Sequence, residues 1–323
     1  MKTKHQNKSC RNGLSFTKTL AICALTVLIA ASTARALTVN VAAGASTATI
    51  QSAIDQVNAG GGGTVNLAAG GYTVTTPILM KSKVTLNGAG TPATTLGVNG
   101  NITIISAATE GLQNITIQNM KIVGTGRTVS TDCNGIIISA QTTHHSNVTI
   151  SNVQVMNCGG MGILTKRADN TKVLNCNIHD NGGFTLMHNM YLRDETPITV
   201  TGCQLKNSPQ GTGLHIAGVT ANVSITGCSC TGNGSQGINV QDSPTGITIQ
   251  NNDLSSNCVV NQGEGLGFTG TSALIDSNTA NNNNGWGMYL FGGNGTLSNN
   301  TATGNTLGTY NIHGSPWTQI NNH

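Results

Sequence analysis

The sequence predicts an all-β solenoid of short strands with one short helix near its N-terminal end. Three observations predict this fold class. Glycine accounts for 42 of 323 residues, whereas only 8% are charged and 3% aromatic, which is far from the composition of an ordinary globular domain. A short strand-like phrase recurs at a nearly constant spacing, with no helical pattern between its copies. A second phrase follows each copy of the first.

Residues 1–36 are predicted to be a secretory signal peptide. Basic residues come first, an apolar run follows at 20–31, and Ala34-Arg35-Ala36 fits a cleavage site. The apolar run is too short to span a bilayer comfortably, so we expect a secreted protein, periplasmic or extracellular, without membrane insertion. Six of the fifteen basic residues and none of the eleven acidic ones lie in this segment, which leaves 9 − 11 = −2 for the remainder. This charge gives no support to a nucleic-acid partner.

Residues 37–323 are predicted to form one domain, with an N-terminal cap and first strands at 37–98 and repeating rungs at 99–323. In the cap, Ser46 begins a short helix that ends at the glycines 60–63. The apolar residues of this helix fall on one face, at Ile50, Ile54 and Val57. Strand-like segments separated by glycine turns follow at 64–67, 72–74 and 84–86.

The first recurring phrase is an alternating strand that ends in Asn or Gly, as in Ile115-Thr-Ile-Gln-Asn119 and Val148-Thr-Ile-Ser-Asn152. Its apolar anchors fall at 117, 150, 173, 200, 225, 249, 275 and 297. Most intervals are 22–27 residues, and the longest, 33, spans two loop expansions. A period of this size without intervening helices indicates a solenoid in which each repeat is one rung.

The second phrase has the form Gly-apolar-x-apolar-x. Its copies begin at Gly135, Gly162, Asn189, Gly213, Gly237, Gly265, Gly287 and Thr309. Because side chains alternate across a strand, the apolar second and fourth residues should point into the solenoid and the third and fifth outward. Thr165 is the exception among the inward positions.

These two phrases resemble the right-handed parallel β-helix proteins of the pectate-lyase-like superfamily. The resemblance covers nearly all of the chain after the signal peptide, and residues 49–74 look like the N-terminal cap of that superfamily. It implies a single-stranded, right-handed parallel β-helix with three short strands in each rung. It also implies that the strand of the second phrase lines a polysaccharide-binding groove, walled by the expanded loops 123–134, 179–188 and 255–264.

Four reactive side chains fall on neighbouring outward positions of this strand. Tyr191 and His215 are adjacent third-position residues, whereas Lys166 and Arg193 are adjacent fifth-position residues. Rungs stack about 4.8 Å apart, so these four residues should form one patch, which we call the reactive patch. Since charged residues are scarce in this chain, we interpret the patch as a site, with ordinary solvated surface as the alternative.

The reactive patch suits cleavage or epimerisation of a uronate polymer, in which the proton next to a carboxylate is removed. Arg193 would hold the carboxylate with added charge from Lys166, while His215 would act as the base and Tyr191 as the acid. The sequence does not separate β-elimination from C5-epimerisation. Further contacts with an anionic polysaccharide are predicted at Asn239, Gln241, Asp194 and Tyr289.

Two other functions remain open. One is a non-catalytic glycan-binding or cell-surface β-helix, and the other is a glycoside hydrolase using Asp194 and Asp242. The chain lacks the aspartate motifs of β-helix polygalacturonases and the Asp-Pro-His of alginate epimerases. No cofactor is predicted with certainty, although Asp194 and Glu195 offer oxygen ligands for calcium. His179 and His188 are interpreted as turn residues beside an expanded loop, and we expect a monomer.

Overall fold

The recurring phrases fold into stacked rungs of short parallel strands. The computed structural model describes residues 36–98, 100–314 and 316–323, so the predicted signal peptide lies outside the described residues except for Ala36. Within those residues, the strands form two parallel sheets, one of 10 strands and one of 17. The larger sheet follows the first phrase, and the smaller sheet follows the second.

The smaller sheet presents the face on which the reactive patch was predicted. Its strands are Ile78–Met80, Ile105–Ala107, Ile136–Ser139, Ile163–Lys166, Met190–Arg193, Leu214–Ala217, Ile238–Val240, Gly263–Phe268, Gly285–Phe291 and Gly308–His313. The larger sheet contains Leu37–Val41, Gly63–Leu67, Gly70–Val74, Val84–Gly88, Thr94–Val98, Gln113–Val123, His145–Met156, Ala168–Asp169, Thr171–Leu174, Asn177–His179, Ile198–Thr201, Gln204–Lys206, Ala221–Thr226, Thr245–Gln250, Thr271–Asp276, Gly295–Ser298 and Trp317–Ile320.

The predicted repeat sets the register of the larger sheet. Each apolar anchor of the first phrase pairs with the next anchor along the chain, from Ile117 against Ile150 to Ile275 against Leu297. The anchors pair because a one-residue slip would turn every interior side chain to the outside. The solenoid prediction is therefore confirmed rung by rung.

The predicted capping helix spans Thr47–Ala59. The Ser46 hydroxyl accepts a hydrogen bond from the Thr49 N–H at 3.2 Å, and Gly60 ends the helix. Ile50, Ile54 and Val57 are fully buried, as the apolar spacing predicted. The helix covers the apolar interior at the N-terminal end of the strand stack.

Stacked amides and thiols stabilise the turns between strands. Asn252, Asn278 and Asn300 are buried and hydrogen-bonded to one another in sequence, each side-chain N–H donating to the next amide oxygen at 2.9–3.0 Å. Cys203 and Cys228 are buried at the equivalent positions of earlier rungs, and their thiols donate to backbone carbonyl groups. These side chains satisfy backbone groups that would otherwise be buried without partners.

A search of the described part of the chain for a membrane-spanning element found no helix that is long and apolar enough.

Candidate functional site

The outward face of the ten-stranded sheet carries the predicted column of third-position residues. Tyr191 pairs with Leu164 on one side and His215 on the other, and the column continues through Asn239 and Gly267. The inward neighbours Met190 and Leu192 are fully buried, whereas Tyr191 and His215 are half-buried. Alternation along the strand thus directs these two side chains to the outer face, as predicted.

Tyr191, Arg193 and His215 form a compact cluster. Arg193 Nη1 donates a hydrogen bond to the Tyr191 phenol oxygen at 3.2 Å, and this contact is the main reason that the pKa of Arg193 is raised. The His215 ring lies on the next rung, with its centroid 4.9 Å from that of Tyr191. A cation, a phenol and an imidazole therefore share one small part of the surface.

His188 belongs to this cluster as well, which the sequence interpretation missed. It precedes the strand, as expected of a turn residue, but its ring is buried and its centroid lies 4.8 Å from that of His215. Burial lowers the pKa of His188 to about 3, with a smaller contribution from the charge of His215. His188 is therefore neutral at ordinary pH and carries a single ring proton.

The partners of His188 determine where that proton lies. Its Nδ1 accepts a hydrogen bond from the Thr212 N–H at 3.0 Å, so the proton must be on Nε2. Nε2 lies 3.2 Å from His215 Nδ1 and donates to it. Neutral His215 then carries its own proton on Nε2. The hydrogen bonds thus favour His215 as a proton donor, whereas the sequence assigned it as the base.

The environment of His215 keeps the imidazole neutral. Burial is the main cause that lowers its pKa and nearby Arg193 adds to this, while Gln241 and Asp242 oppose it. Nε2 is buried and has no hydrogen-bond partner that satisfies normal geometry among residues 36–98, 100–314 and 316–323. Gln241 is exposed at the end of the adjacent strand, where it can change rotamer when a ligand enters.

Lys166 and Asp194 flank the cluster in different ways. Lys166 pairs in register with Arg193 and is half-buried, so it adds positive charge one rung away. The Asp194 carboxylate accepts from Arg193 Nε at 3.3 Å and from the Val219 N–H at 2.9 Å. Both Asp194 oxygens therefore already have partners within the chain, and the residue orients Arg193.

Asp242 is occupied in a similar way. Its Oδ2 accepts a hydrogen bond from the Gly218 N–H at 2.8 Å, next to the turn that Asp194 binds. These two carboxylates, which lie two rungs apart, therefore both bind the backbone of the turn at Gly218 and Val219 between them. Because an inverting or retaining hydrolase needs two carboxyl groups facing the glycosidic bond, this placement does not favour hydrolysis by this pair.

Glu195 points into the solenoid, away from the groove. It is 1% exposed, and its Oε1 accepts from the Thr165 hydroxyl at 2.6 Å and from the Arg193 N–H at 3.1 Å. Thr165, the one polar residue among the predicted inward positions, is thus the partner of a buried carboxyl group. Glu195 cannot join Asp194 in holding calcium at the surface. In the portion of the chain that the structure describes, no group of three His, Cys, Asp or Glu side chains could hold a metal ion.

Two of the expanded loops contact each other beside the groove. Arg127 Nη1 of the loop at 123–134 forms an ion pair with Asp180 Oδ1 of the loop at 179–188, at 2.8 Å. His179 Nδ1 lies 2.6 Å from the same carboxylate, which makes His179 part of this loop contact. The two expanded loops are therefore joined to each other before the strands Ile136–Ser139 and Met190–Arg193.

The other end of the groove contains a carboxylate that the sequence interpretation passed over. Glu264 lies at the end of the third expanded loop, and Gln236 Nε2 donates to its Oε2 at 3.1 Å. The predicted contact Tyr289 lies nearby, since it pairs with Gly267, and its ring is parallel to that of Phe291 at 6.2 Å. The scarcity of acidic residues could have drawn attention to Glu264.

Residues 82–254 and 187–323 match the family described as "Right handed beta helix region". No curated protein matches this chain at a significant level. The family match agrees with the stacked parallel strands and gives the handedness of the solenoid.

Solved structures show the same fold at low sequence identity. ORF18 of Geobacillus virus E2 has a TM-score of 0.69 and 18% identity over 88% of this chain, which spans 61% of the viral protein. The A-module of the mannuronan C-5 epimerase AlgE4 from Azotobacter vinelandii has a TM-score of 0.52 and 20% identity over 85% of this chain and 96% of that one. The Streptococcus pneumoniae surface protein and adhesin PfbA has a TM-score of 0.58 and 16% identity over 88% of this chain and 100% of that one.

Proposed function

We propose that this chain, which belongs to the right-handed β-helix family, is a secreted protein that removes the proton next to a uronate carboxylate in an acidic polysaccharide. The reaction is β-elimination or C5-epimerisation. One observation carries the proposal: Arg193 donates to the Tyr191 oxygen at 3.2 Å, with the His215 ring 4.9 Å from the Tyr191 ring on the adjacent rung. This arrangement supplies a cation, a proton acceptor and a proton donor on one face.

Removal of a proton next to a carboxylate places negative charge on the carboxylate in the transition state. Positive groups that are already oriented stabilise this charge. The guanidinium of Arg193 has further N–H groups that do not bind Tyr191 or Asp194. These N–H groups would bind the carboxylate, together with Lys166 one rung away. Lys166 contributes charge, whereas the planar guanidinium can bind two carboxylate oxygens.

The tautomer of His215 assigns the acid and the base. The Tyr191 oxygen, which Arg193 contacts at 3.2 Å, accepts the C5 proton after its own proton has passed to solvent. In elimination, the electrons of the C5–H bond form the C4–C5 double bond as the C4–O bond breaks, and the leaving oxygen takes the proton from His215 Nε2. In epimerisation the C4–O bond stays intact, and the carbanion at C5 takes the proton of His215 Nε2 on its other face. This assignment reverses the roles that the sequence suggested for Tyr191 and His215.

The solved neighbours give limited support to this substrate class. The AlgE4 A-module is named a mannuronan C-5 epimerase, so the β-helix scaffold can host uronate chemistry. The predicted signal peptide at 1–36 supports a periplasmic or extracellular location, where polysaccharides are found. The charge of −2 after its removal supports no nucleic-acid partner, and we propose a monomer that needs no membrane insertion.

A second candidate is a groove that binds glycans without changing them. The buried position of His215 Nε2 favours it, because neighbouring side chains must move before this atom can donate a proton to a ligand. The half-buried ring of Tyr289 and the exposed rings of Phe291 and His313 also favour binding, since their centroids lie 5.6–6.2 Å apart and they form a platform for a sugar ring. The neighbour PfbA is named an adhesin.

The test is a panel of uronate polymers incubated with the purified protein. Ultraviolet absorbance detects the unsaturated product of elimination, and proton NMR detects a change in epimer ratio. We expect turnover of at least one polymer, lost in Tyr191→Phe and His215→Ala but retained in His144→Ala, a change to a surface histidine paired with Asp169. Thermal unfolding checks that each variant is folded. Binding without turnover on every uronate would reject the enzymatic proposal in favour of the second candidate.

A further inference from the structure

The outward column of the groove lacks a side chain at Gly267. Its neighbours in register are Asn239 on one rung and Tyr289 on the other, and both carry large side chains. The ends of the Asn239 and Glu264 side chains lie over the Gly267 backbone, which is buried beneath them. This low point of the column lies three rungs, or about 14 Å, from Tyr191 along the solenoid axis. We call this feature the Gly267 recess.

Two oxygen atoms converge on the recess. A methyl group added to Gly267 would lie 3.2 Å from Asn239 Oδ1 and 3.4 Å from Glu264 Oε2. Both atoms therefore border the same small space above the Gly267 backbone. Oxygen acceptors that face one point attract a group with hydrogen-bond donors.

Asn239 has no internal partner to explain its position. It is only 8% exposed, and its side chain makes no hydrogen bond with any of the residues that the structure describes. Neither atom of the Asn239 amide is fully buried, so the amide is available to a ligand in the groove. Asn239 was predicted as a substrate contact, and its place beside the recess supports that prediction.

Glu264 is fixed in position but is not neutralised. Gln236 Nε2 donates to its Oε2 at 3.1 Å, and Gln236 Oε1 in turn accepts from the Thr212 hydroxyl at 3.2 Å. No Lys, Arg or His forms an ion pair with Glu264 in the described part of the chain, and burial raises the pKa of its carboxyl group. The recess thus contains an oriented carboxylate with no positive partner.

The two ends of the groove therefore differ in charge. Lys166 and Arg193 provide positive charge at one end, and Glu264 provides negative charge at the other. A uniformly anionic polymer laid along the column would bring a carboxylate near Glu264, and like charges in a partly buried site repel each other. A sugar with hydroxyl or ammonium groups would instead donate hydrogen bonds to both oxygens.

We propose that the Gly267 recess binds an uncharged or amino sugar. If the proposed function holds, the ligand is then a heteropolysaccharide with a uronate at Arg193 and a non-anionic unit at the recess. Tyr289 pairs in register with Gly267, so its half-buried ring lies on the next rung and offers an aromatic contact to the same sugar. The recess selects against homopolymers of uronate.

Two variants change the recess without involving the reactive patch. Glu264→Gln keeps the shape and removes the charge. Gly267→Val places a side chain among these oxygen atoms. The variant should fold, because Gly267 has no positive φ and the added side chain would meet only the mobile ends of Asn239 and Glu264. The matched control is Gly71→Val, because Gly71 is an exposed strand residue with ordinary φ and open space around it.

The experiment measures dissociation constants by calorimetry for a homopolymeric uronate oligosaccharide, a neutral oligosaccharide, and two mixed ones that alternate uronate with either an N-acetylated or a free amino sugar. We expect the wild type and Gly71→Val to prefer a mixed ligand over the uronate homopolymer by about tenfold or more, the scale of a hydrogen bond to a charged group. Glu264→Gln should reduce this preference about tenfold, and Gly267→Val should weaken the mixed and neutral ligands. Comparison of the two mixed ligands decides between an amide and an ammonium group.

Equal affinity of the wild type for the homopolymer and the mixed ligands would overturn the recess proposal. An unchanged preference in Glu264→Gln would also overturn it, and so would the failure of all four ligands to bind. Uronate turnover is measured separately. A binding preference without turnover rejects the proposed reaction alone, whereas turnover without a preference rejects the recess alone.

Discussion

Replacement of Glu195 by Gln should change how the stability of the protein depends on pH. Glu195 is 1% exposed, and its Oε2 has no hydrogen-bond partner within residues 36–98, 100–314 and 316–323. Burial is the main cause that raises the pKa of this carboxyl group to about 8, although hydrogen bonds from Thr165 and Arg193 oppose it. The folded protein therefore holds the carboxyl group in its neutral form at pH 7.

The sign and size follow from proton binding. The ordinary pKa of the side chain is 4.5, so between pH 4.5 and 8 the folded chain keeps a proton that the unfolded chain releases. The contribution of Glu195 to stability is fully present below pH 4.5 and is lost as pH rises through 8. A shift of 8 − 4.5 = 3.5 corresponds to about 5 kcal/mol in total, of which about 3 kcal/mol is lost between pH 5 and pH 8.

Urea unfolding at pH 5, 6, 7 and 8, followed by circular dichroism, measures the effect. Glu195→Gln cannot ionise, so the free energy of unfolding of the variant minus that of the wild type should increase by about 3 kcal/mol across this range. Taking the difference cancels the titration of the buried histidines, which both proteins share. A difference that stays constant from pH 5 to pH 8 would show that Glu195 is already ionised in the folded state and would refute this reasoning.

Three further predictions concern the cluster and the interior. His188→Leu removes the donor to His215 Nδ1, so long-range nitrogen–proton NMR should show the His215 proton shared between both ring nitrogens, whereas an unchanged spectrum would contradict the fixed tautomer. Asn278→Ala breaks the buried amide stack and should lower the free energy of unfolding by about 2–3 kcal/mol in urea titrations, and a loss below about 0.5 kcal/mol would contradict this. Arg193→Ala should weaken binding of a uronate oligosaccharide about tenfold and reduce its salt dependence, whereas Lys172→Ala, at an exposed position on the other sheet, should change neither.

The repeat in the sequence was enough to predict the fold and much of the candidate site. In a stack of parallel strands, each rung fixes the register of the next, because the interior accepts only apolar residues at alternating positions. The spacing of the phrases was therefore enough to predict that Tyr191 lies beside His215 and Lys166 beside Arg193. The capping helix followed from local signals at Ser46 and Gly60, which act within a single turn.

Residues outside the repeating positions could not be placed in this way. His188 and Glu195 lie next to turns, where loop length changes from rung to rung, and Glu264 belongs to a strand but precedes the five-residue phrase. Their side-chain directions depend on tertiary partners: Thr212 for His188, Thr165 for Glu195 and Gln236 for Glu264. One signal was present, since a lone Thr165 among inward apolar residues indicated a buried polar partner.

The sequence by itself determined which side chains share the outer face, because strand alternation and rung spacing are properties of the backbone. Only the tertiary structure decided their protonation and their charge environment. The tautomer of His215 depends on His188 and Thr212, which come from different rungs. Likewise, the Glu264 carboxylate lies over Gly267, three residues further along the same strand, where Gln236 of the preceding rung holds it.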